Sequence, residues 1–147
     1  MASQPQGNKL IPTLTLKNAA KAIELYKKAL GAKEEYRMEM PGSDKIMHAC
    51  ISIGDTKVFL SDPFPEMGCG TPSVSTFYLY LDDVDASYKT AKGAGMKEVM
   101  APQDMFWGDR TGSIEDEFGI RWTIATHVRD VSTEEMEEAR KKWGKAA

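Results

Sequence analysis

Cysteine, histidine and long apolar runs are all scarce in this chain, and each scarcity removes a class of explanation. The two cysteines, Cys50 in a strand-like run and Cys69 among glycines and prolines, make neither a disulfide framework nor a CxxC pair for a structural zinc knot. No apolar stretch approaches the roughly 18 to 20 residues of a membrane span. Residues 1–8, MASQPQGN, lack the charged-then-apolar layout of a signal peptide, so a cytoplasmic location is expected. Basic charge is not in excess either: 19 Lys and Arg against 22 Asp and Glu give a net charge of −3, with the basic residues scattered. Neither nucleic acid nor a membrane is therefore an expected partner. What is present, 147 residues of which 41% are hydrophobic and 28% charged, suits one soluble domain or two small halves sharing a core.

The most informative stretch is 106–126, FWGDRTGSIEDEFGIRWTIAT, which reads as a hairpin. A polar strand leads through Asp116-Glu117-Phe118-Gly119 into 120–126, where Arg121, Thr123 and Ala125 alternate with Ile120, Trp122 and Ile124. Upstream, Leu14 and Leu16 alternate with Thr13 and Thr15 in a strand. Asn18 caps a helix whose Ala22, Ile23, Tyr26, Ala29 and Leu30 share one face, and Gly31 stops it. Strands follow at 34–40, at 45–53 and at 57–61. The alternation in 45–53 places Ile46, His48, Cys50 and Ser52 on one face and Met47, Ala49, Ile51 and Ile53 on the other. Residues 62–73, with three prolines and two glycines, cannot be a regular element. Beyond them the order repeats: strand 74–82, helix 84–93, strand 97–101, then the hairpin. The halves align at a shift of about 64, with Ala22 over Ala86, Gly31 over Gly95 and Lys57 over Arg121, which reads as an internal duplication.

The expected organisation is a frayed terminus (1–8), a βαβββ module (9–62), a linker (63–73), a second module (74–128) and a C-terminal helical segment (129–147). Each helix covers one face of its sheet and leaves the other open, so a pocket is expected in the concavity between the halves, paired either within one chain or across two. In the last segment Ser132 to Glu135 form a capping box, and Met136, Ala139 and Trp143 make an apolar stripe for packing on the domain or on a second subunit.

The helix AIELYKKALGA, the run DKIMHACISIGDTKVFLSD followed by PFPEMG, and then LDDVDASYKTAKGAG, FWGDRTG and DEFGIRWTIATHV together resemble the vicinal oxygen chelate superfamily. That superfamily holds glyoxalase I, bleomycin-resistance proteins and extradiol dioxygenases, and the chain is most similar to its PhnB-like, glyoxalase-like branch. The resemblance covers nearly everything from Leu10 onward. It implies an α+β fold of paired βαβββ modules forming a curved mixed sheet around a pocket, commonly in a homodimer. Metal enzymes of the superfamily take His or Glu ligands from the first and last strands of each module, and those places fall here at Ile11, Phe59, Thr76 and Thr123. A divalent site needs three or four imidazole, carboxylate or thiolate donors, so no cofactor is expected.

By strand alternation the open inner face carries Ile11, Thr13, Thr15, His48, Cys50, Phe59, Thr76, Tyr78, Tyr80, Thr123 and Ala125, with Trp107 and Arg110 at its rim. Such a lining suits a small, partly aromatic ligand, or else tyrosines packed on neighbouring strands. His48 is the candidate catalytic base or a partly buried structural histidine, and His127 is a candidate rim residue. Trp107, Asp109 and Arg110 read either as a substrate clamp or as a turn anchored by the indole. Asp82, Asp83 and Asp85 read as helix capping rather than a metal run. Three functional readings remain open at this level. They are a metal-free protein that sequesters a small molecule, a lyase, isomerase or dioxygenase-type enzyme using His48 with or without a divalent metal, and an interaction module built on the last helix.

Overall fold

The computed structural model describes residues 9–146, so the segment 1–8 read as a frayed terminus lies outside the described residues, as does residue 147. The first module runs β1 (Thr13–Thr15), α1 (Ala19–Leu30), β2 (Lys33–Glu39), β3 (Ile46–Ile53) and β4 (Thr56–Ser61). The second runs β5 (Ser75–Tyr80), α2 (Val84–Gly93), β6 (Lys97–Asp104), β7 (Asp109–Glu115) and β8 (Ile120–His127), followed by α3 (Thr133–Ala146). The strand orders are β1-β4-β3-β2 and β5-β8-β7-β6, each first strand pairing in parallel with its module's last. The duplication is thus one of topology. No described helix is long and apolar enough to cross a membrane.

The helices start where side chains supply the acceptors their first turns lack. Asn18 accepts from the Lys21 N–H and Asp83 from the Ala86 N–H, so the acidic run before α2 is indeed a cap. A second acceptor comes from the end of each sheet. The carboxylate of Asp62 accepts from the backbone N–H groups of Asn18, Ala19 and Ile46. At the matching place in the second module, Thr126 Oγ1 accepts from the Val84 N–H and donates to the Leu81 carbonyl. Each module therefore ties its helix to its own last strand by one polar side chain.

On the helix-bearing face of the first sheet, Leu14, Ala49, Ile51, Val58 and Leu60 join Ala22, Ile23 and Tyr26 of α1, and the equivalent Ile114, Trp122 and Ile124 join the same buried cluster. The two helix-bearing faces turn toward each other. Tyr26 meets Trp122 edge-on at 5.2 Å between ring centroids. Pro12, Ile53 and Val58 close on Phe77, Leu79 and Trp122 around a cavity of about 110 Å³. Asp116, buried in the hairpin turn, fastens this seam. Its Oδ1 accepts from the N–H groups of Phe118 and Ile120, and its Oδ2 from the Tyr26 hydroxyl at 2.7 Å and the Trp122 indole at 3.1 Å.

Two differences from the sequence reading have physical causes. The uncovered sheet faces point away from the shared core, not at each other, because the apolar faces of both sheets have sealed against one another and the two helices. Within one chain the concavity between the halves is filled. In β3, Ile46 is fully buried and Met47 exposed, because the β2–β3 register shifts between Met38 and Glu39 and leaves Met47 as the extra residue.

Candidate functional site

The open face of the first sheet is built by register. Cys50 lies opposite Tyr36 and Phe59, and Phe59 opposite Thr13. Residues two apart on these strands share the face, which brings His48 between Tyr36 and Phe59. The Tyr36 hydroxyl and His48 Nε2 are 2.9 Å apart, and the imidazole meets the Phe59 ring edge-on at 4.7 Å. Cys50 is only 2% exposed and burial pushes its thiol pKa up, which makes it an inert packing residue. Thr13 donates its hydroxyl to the Ile11 carbonyl, while Thr15 is buried with its N–H on Ser73 Oγ. Beside them Glu35 accepts from Ser52 and Lys57 at 2.7 and 2.9 Å.

On the open face of the second sheet, one buried carboxylate organises the surface. Asp109, 3% exposed, accepts at Oδ2 from the hydroxyls of Tyr78 (2.7 Å) and Tyr80 (2.8 Å), and its Oδ1 lies 2.9 Å from His127 Nδ1. His127 Nε2 lies 2.8 Å from Asp130, and the Trp107 indole N–H donates to the Tyr78 oxygen at 3.2 Å. Burial opposes ionisation of Asp109, but the hydrogen bonds from Tyr78, His127 and Tyr80 outweigh it and hold the carboxyl below its ordinary pKa. Desolvation of the hydroxyl end, and then Asp109, push the Tyr78 phenol up to about 12. The Asp130 and Asp109 carboxylates raise the pKa of His127. With a carboxylate against each ring nitrogen, neither nitrogen of this imidazole is open to a substrate. Thr76 is exposed at the edge of the same face, Thr123 shares a hydrogen bond with Ser113 at 3.0 Å, and Ala125 is fully buried.

The structure separates two residues that the sequence reading joined. Asp109 and Arg110 are successive residues of β7, so their side chains take opposite faces. Arg110 turns to the helix side, where it holds Asp85 at 2.9 and 3.1 Å and Asp104 at 3.1 Å, and it forms no clamp with Trp107 and Asp109. Trp107 does border the site, and with Met105, Phe106, Arg140 and Trp143 it also lines a cleft of about 710 Å³ between the β6–β7 turn and α3. Tyr36 and Asp130 are the partners that sequence reasoning missed. Tyr36 was legible as a strand residue, but its pairing with His48 depends on the β2–β3 register.

The four places where the resemblance puts metal ligands do not fit a metal. Phe59 offers no donor and is packed on His48, Thr123 Oγ1 is bonded to Ser113, Thr76 offers only an exposed hydroxyl, and Ile11 has an aliphatic side chain with no donor. Among the described residues, no group of three or more His, Cys, Asp or Glu side chains converges as a metal site.

Residues 12–124 match the family model described as Glyoxalase/Bleomycin resistance protein/Dioxygenase superfamily. The chain is 38% identical over 145 residues to the uncharacterized protein Rv0887c of Mycobacterium tuberculosis, covering 92% of this chain and 84% of that protein. It is 30% identical over 130 residues to protein YjdN of Escherichia coli, covering 73% and 86%. Among solved structures it shares its fold with TioX from Micromonospora sp. ML1, at a TM-score of 0.69 and 22% identity over 83% of this chain and all of that one. The matched region spans both modules, from the residue before β1 to the middle of β8, and so the chain belongs to the glyoxalase/bleomycin resistance protein/dioxygenase superfamily.

Proposed function

We propose that this chain binds a small, partly aromatic organic molecule without a metal, in a pocket completed by a homodimer. In that dimer the open face of β1–β4 in one copy looks onto the open face of β5–β8 in its partner, and β1 of one copy runs beside β5 of the other. The observation that carries the reading is that both faces bear aromatic and polar side chains outward, with Tyr78 and Tyr80 46% and 59% exposed. Such faces are expected to be covered when the protein works. The strands β1 and β5 support it, since each ends its sheet and an unpaired edge invites a partner strand. Within the superfamily we assign the chain to the PhnB-like branch, on its FWGDR and DEFGIRW runs, and to the cytoplasm.

The test combines elemental analysis of untagged protein, its mass in solution, and a thermal-shift screen of small aromatic compounds. Expected are negligible metal, a dimer, and hits whose shifts shrink in Tyr78→Ala and Trp107→Ala. About one equivalent of Ni, Zn, Fe or Mn per chain, or a monomer that binds its hits as well as before in both variants, would overturn the reading. An enzyme using His48 is the competing reading. It requires a catalysed reaction whose rate collapses in His48→Ala, whereas a binding role alters affinity.

A further inference from the structure

The Tyr78 and Tyr80 rings stand 5.3 Å apart at 59° to each other, two walls of a corner rather than a stacked pair. Both hydroxyls are committed to the same oxygen of Asp109, so what they present outward is ring face. A phenol that donates to a carboxylate gains electron density, which deepens the negative potential over its ring. The carboxylate itself is buried behind the pair, and Trp107, bonded to the Tyr78 oxygen, adds a third aromatic group beside them.

The charge of the cluster has one sign in every protonation state of its histidine. Asp109 and Asp130 flank His127, so the three sum to −2 with a neutral imidazole and −1 with a protonated one. Nearby cations are already paired: Arg110 holds Asp85 and Asp104 on the opposite face, Arg129 pairs with Glu135, and Arg121, on the same face, pairs with Glu115. On the first sheet's open face Lys57 is matched by Glu35. An anionic ligand would therefore meet unbalanced negative charge. A neutral hydrogen-bonding ligand would find the phenol protons already taken.

From this geometry we infer that the second-sheet face selects an organic cation, an alkylammonium or quaternary ammonium group seated against the Tyr78 and Tyr80 rings in front of Asp109. This rests on the small-molecule reading above and adds the sign of charge and the subsite that reads it. Electron-rich aromatic faces with a carboxylate behind them are a general solution to recognising a cation too bulky or too methylated to hydrogen-bond.

The experiment titrates the full-length protein at fixed pH and ionic strength with benzyltrimethylammonium, benzyl alcohol and benzenesulfonate, followed by tryptophan fluorescence and tyrosine ring NMR shifts. The cation is expected to bind at least about tenfold more tightly than the alcohol, a difference of about 1.4 kcal/mol. That advantage should be lost in Asp109→Asn and in Tyr80→Leu. Tyr80→Leu alters an exposed ring and carries the test alone if Asp109→Asn does not fold. Equal or tighter binding of the alcohol or the sulfonate, or an unchanged cation affinity in Tyr80→Leu, overturns the cation inference and leaves the binding reading standing. Absence of binding by all three overturns both.

Discussion

Replacing Asp116 by alanine should loosen the seam that makes the two modules one body. The residue is 9% exposed and accepts four hydrogen bonds, two from its own turn and two, through Tyr26 and Trp122, from the core. Tyr26 is fully buried and Trp122 is 3% exposed, so neither donor reaches water once the carboxylate is gone. Leaving a buried donor unsatisfied costs about 1–3 kcal/mol, and each turn bond adds about 1 kcal/mol. Relief from desolvating a carboxylate offsets part of this, which leaves about 3–5 kcal/mol, in line with breaking one side of a buried polar pair. For a domain of 147 residues an unfolding entropy of about 2 cal/mol/K per residue converts this into a fall in Tm of about 10–15 °C. Tyr26→Phe, which removes one donor and leaves Asp116 with three, should cost only about 1–2 kcal/mol. Urea unfolding followed by Trp122 fluorescence and far-UV circular dichroism measures both. A loss below about 1 kcal/mol in Asp116→Ala would refute the view that this carboxylate joins the modules.

Three further outcomes follow from other parts of the molecule. Gly108 has φ 101°, and a Cβ there would lie 2.2 Å from the Arg129 carbonyl oxygen, so Gly108→Ala should destabilise by about 2 kcal/mol or more. It should also weaken ligand binding by displacing Trp107, and a variant with unchanged urea midpoint and affinity would refute this. Because the pKa of His127 is raised above 6.5, its contribution to stability is complete below that value and is lost as pH climbs through the folded pKa. Asp109, lowered below 3.8, acts in the opposite sense, contributing above that value and failing as pH falls through its own folded pKa. His127→Gln should therefore flatten the decline in Tm on the alkaline side of 6.5, and an unaltered slope there would disprove the assignment. In α3, Met136 and Ala139 are half-buried and Trp143 is 66% exposed, so removing residues 131–147 should shift the proposed dimer toward monomer while keeping the sheet signal. An unchanged mass would exclude α3 from the subunit contact.

Which residues stand on the open faces was largely readable from alternation, and their hydrogen-bond partners mostly were not. Period-two patterning placed His48, Phe59, Tyr78, Tyr80 and Thr123 on open faces, where they are found. Arg110 was drawn into the site because FWGDR looks like one loop. The strand begins at Asp109, and a single step along it exchanges the open face for the helix face. Met47 shows the same sensitivity, since one bulge residue moved Ile46 into the core.

By itself the chain determined its elements and its duplication. Caps at Asn18, Asp83 and Ser132, stops at glycines and the two hydrophobic periods are local properties, written within a few residues of where they act. Only the tertiary structure decided which faces meet. Both sheets offer an apolar and a mixed face, and nothing local says whether a chain closes its modules around a pocket or seals them on their helices. The decision falls to the area buried between Tyr26, Trp122 and Phe77, and to a carboxylate that can satisfy two buried donors only if α1 and β8 are brought together. The same long-range pairing makes Asp109 the centre of a hydrogen-bonded cluster, because its tyrosines come from a strand about 30 residues earlier and its histidine from the strand beyond.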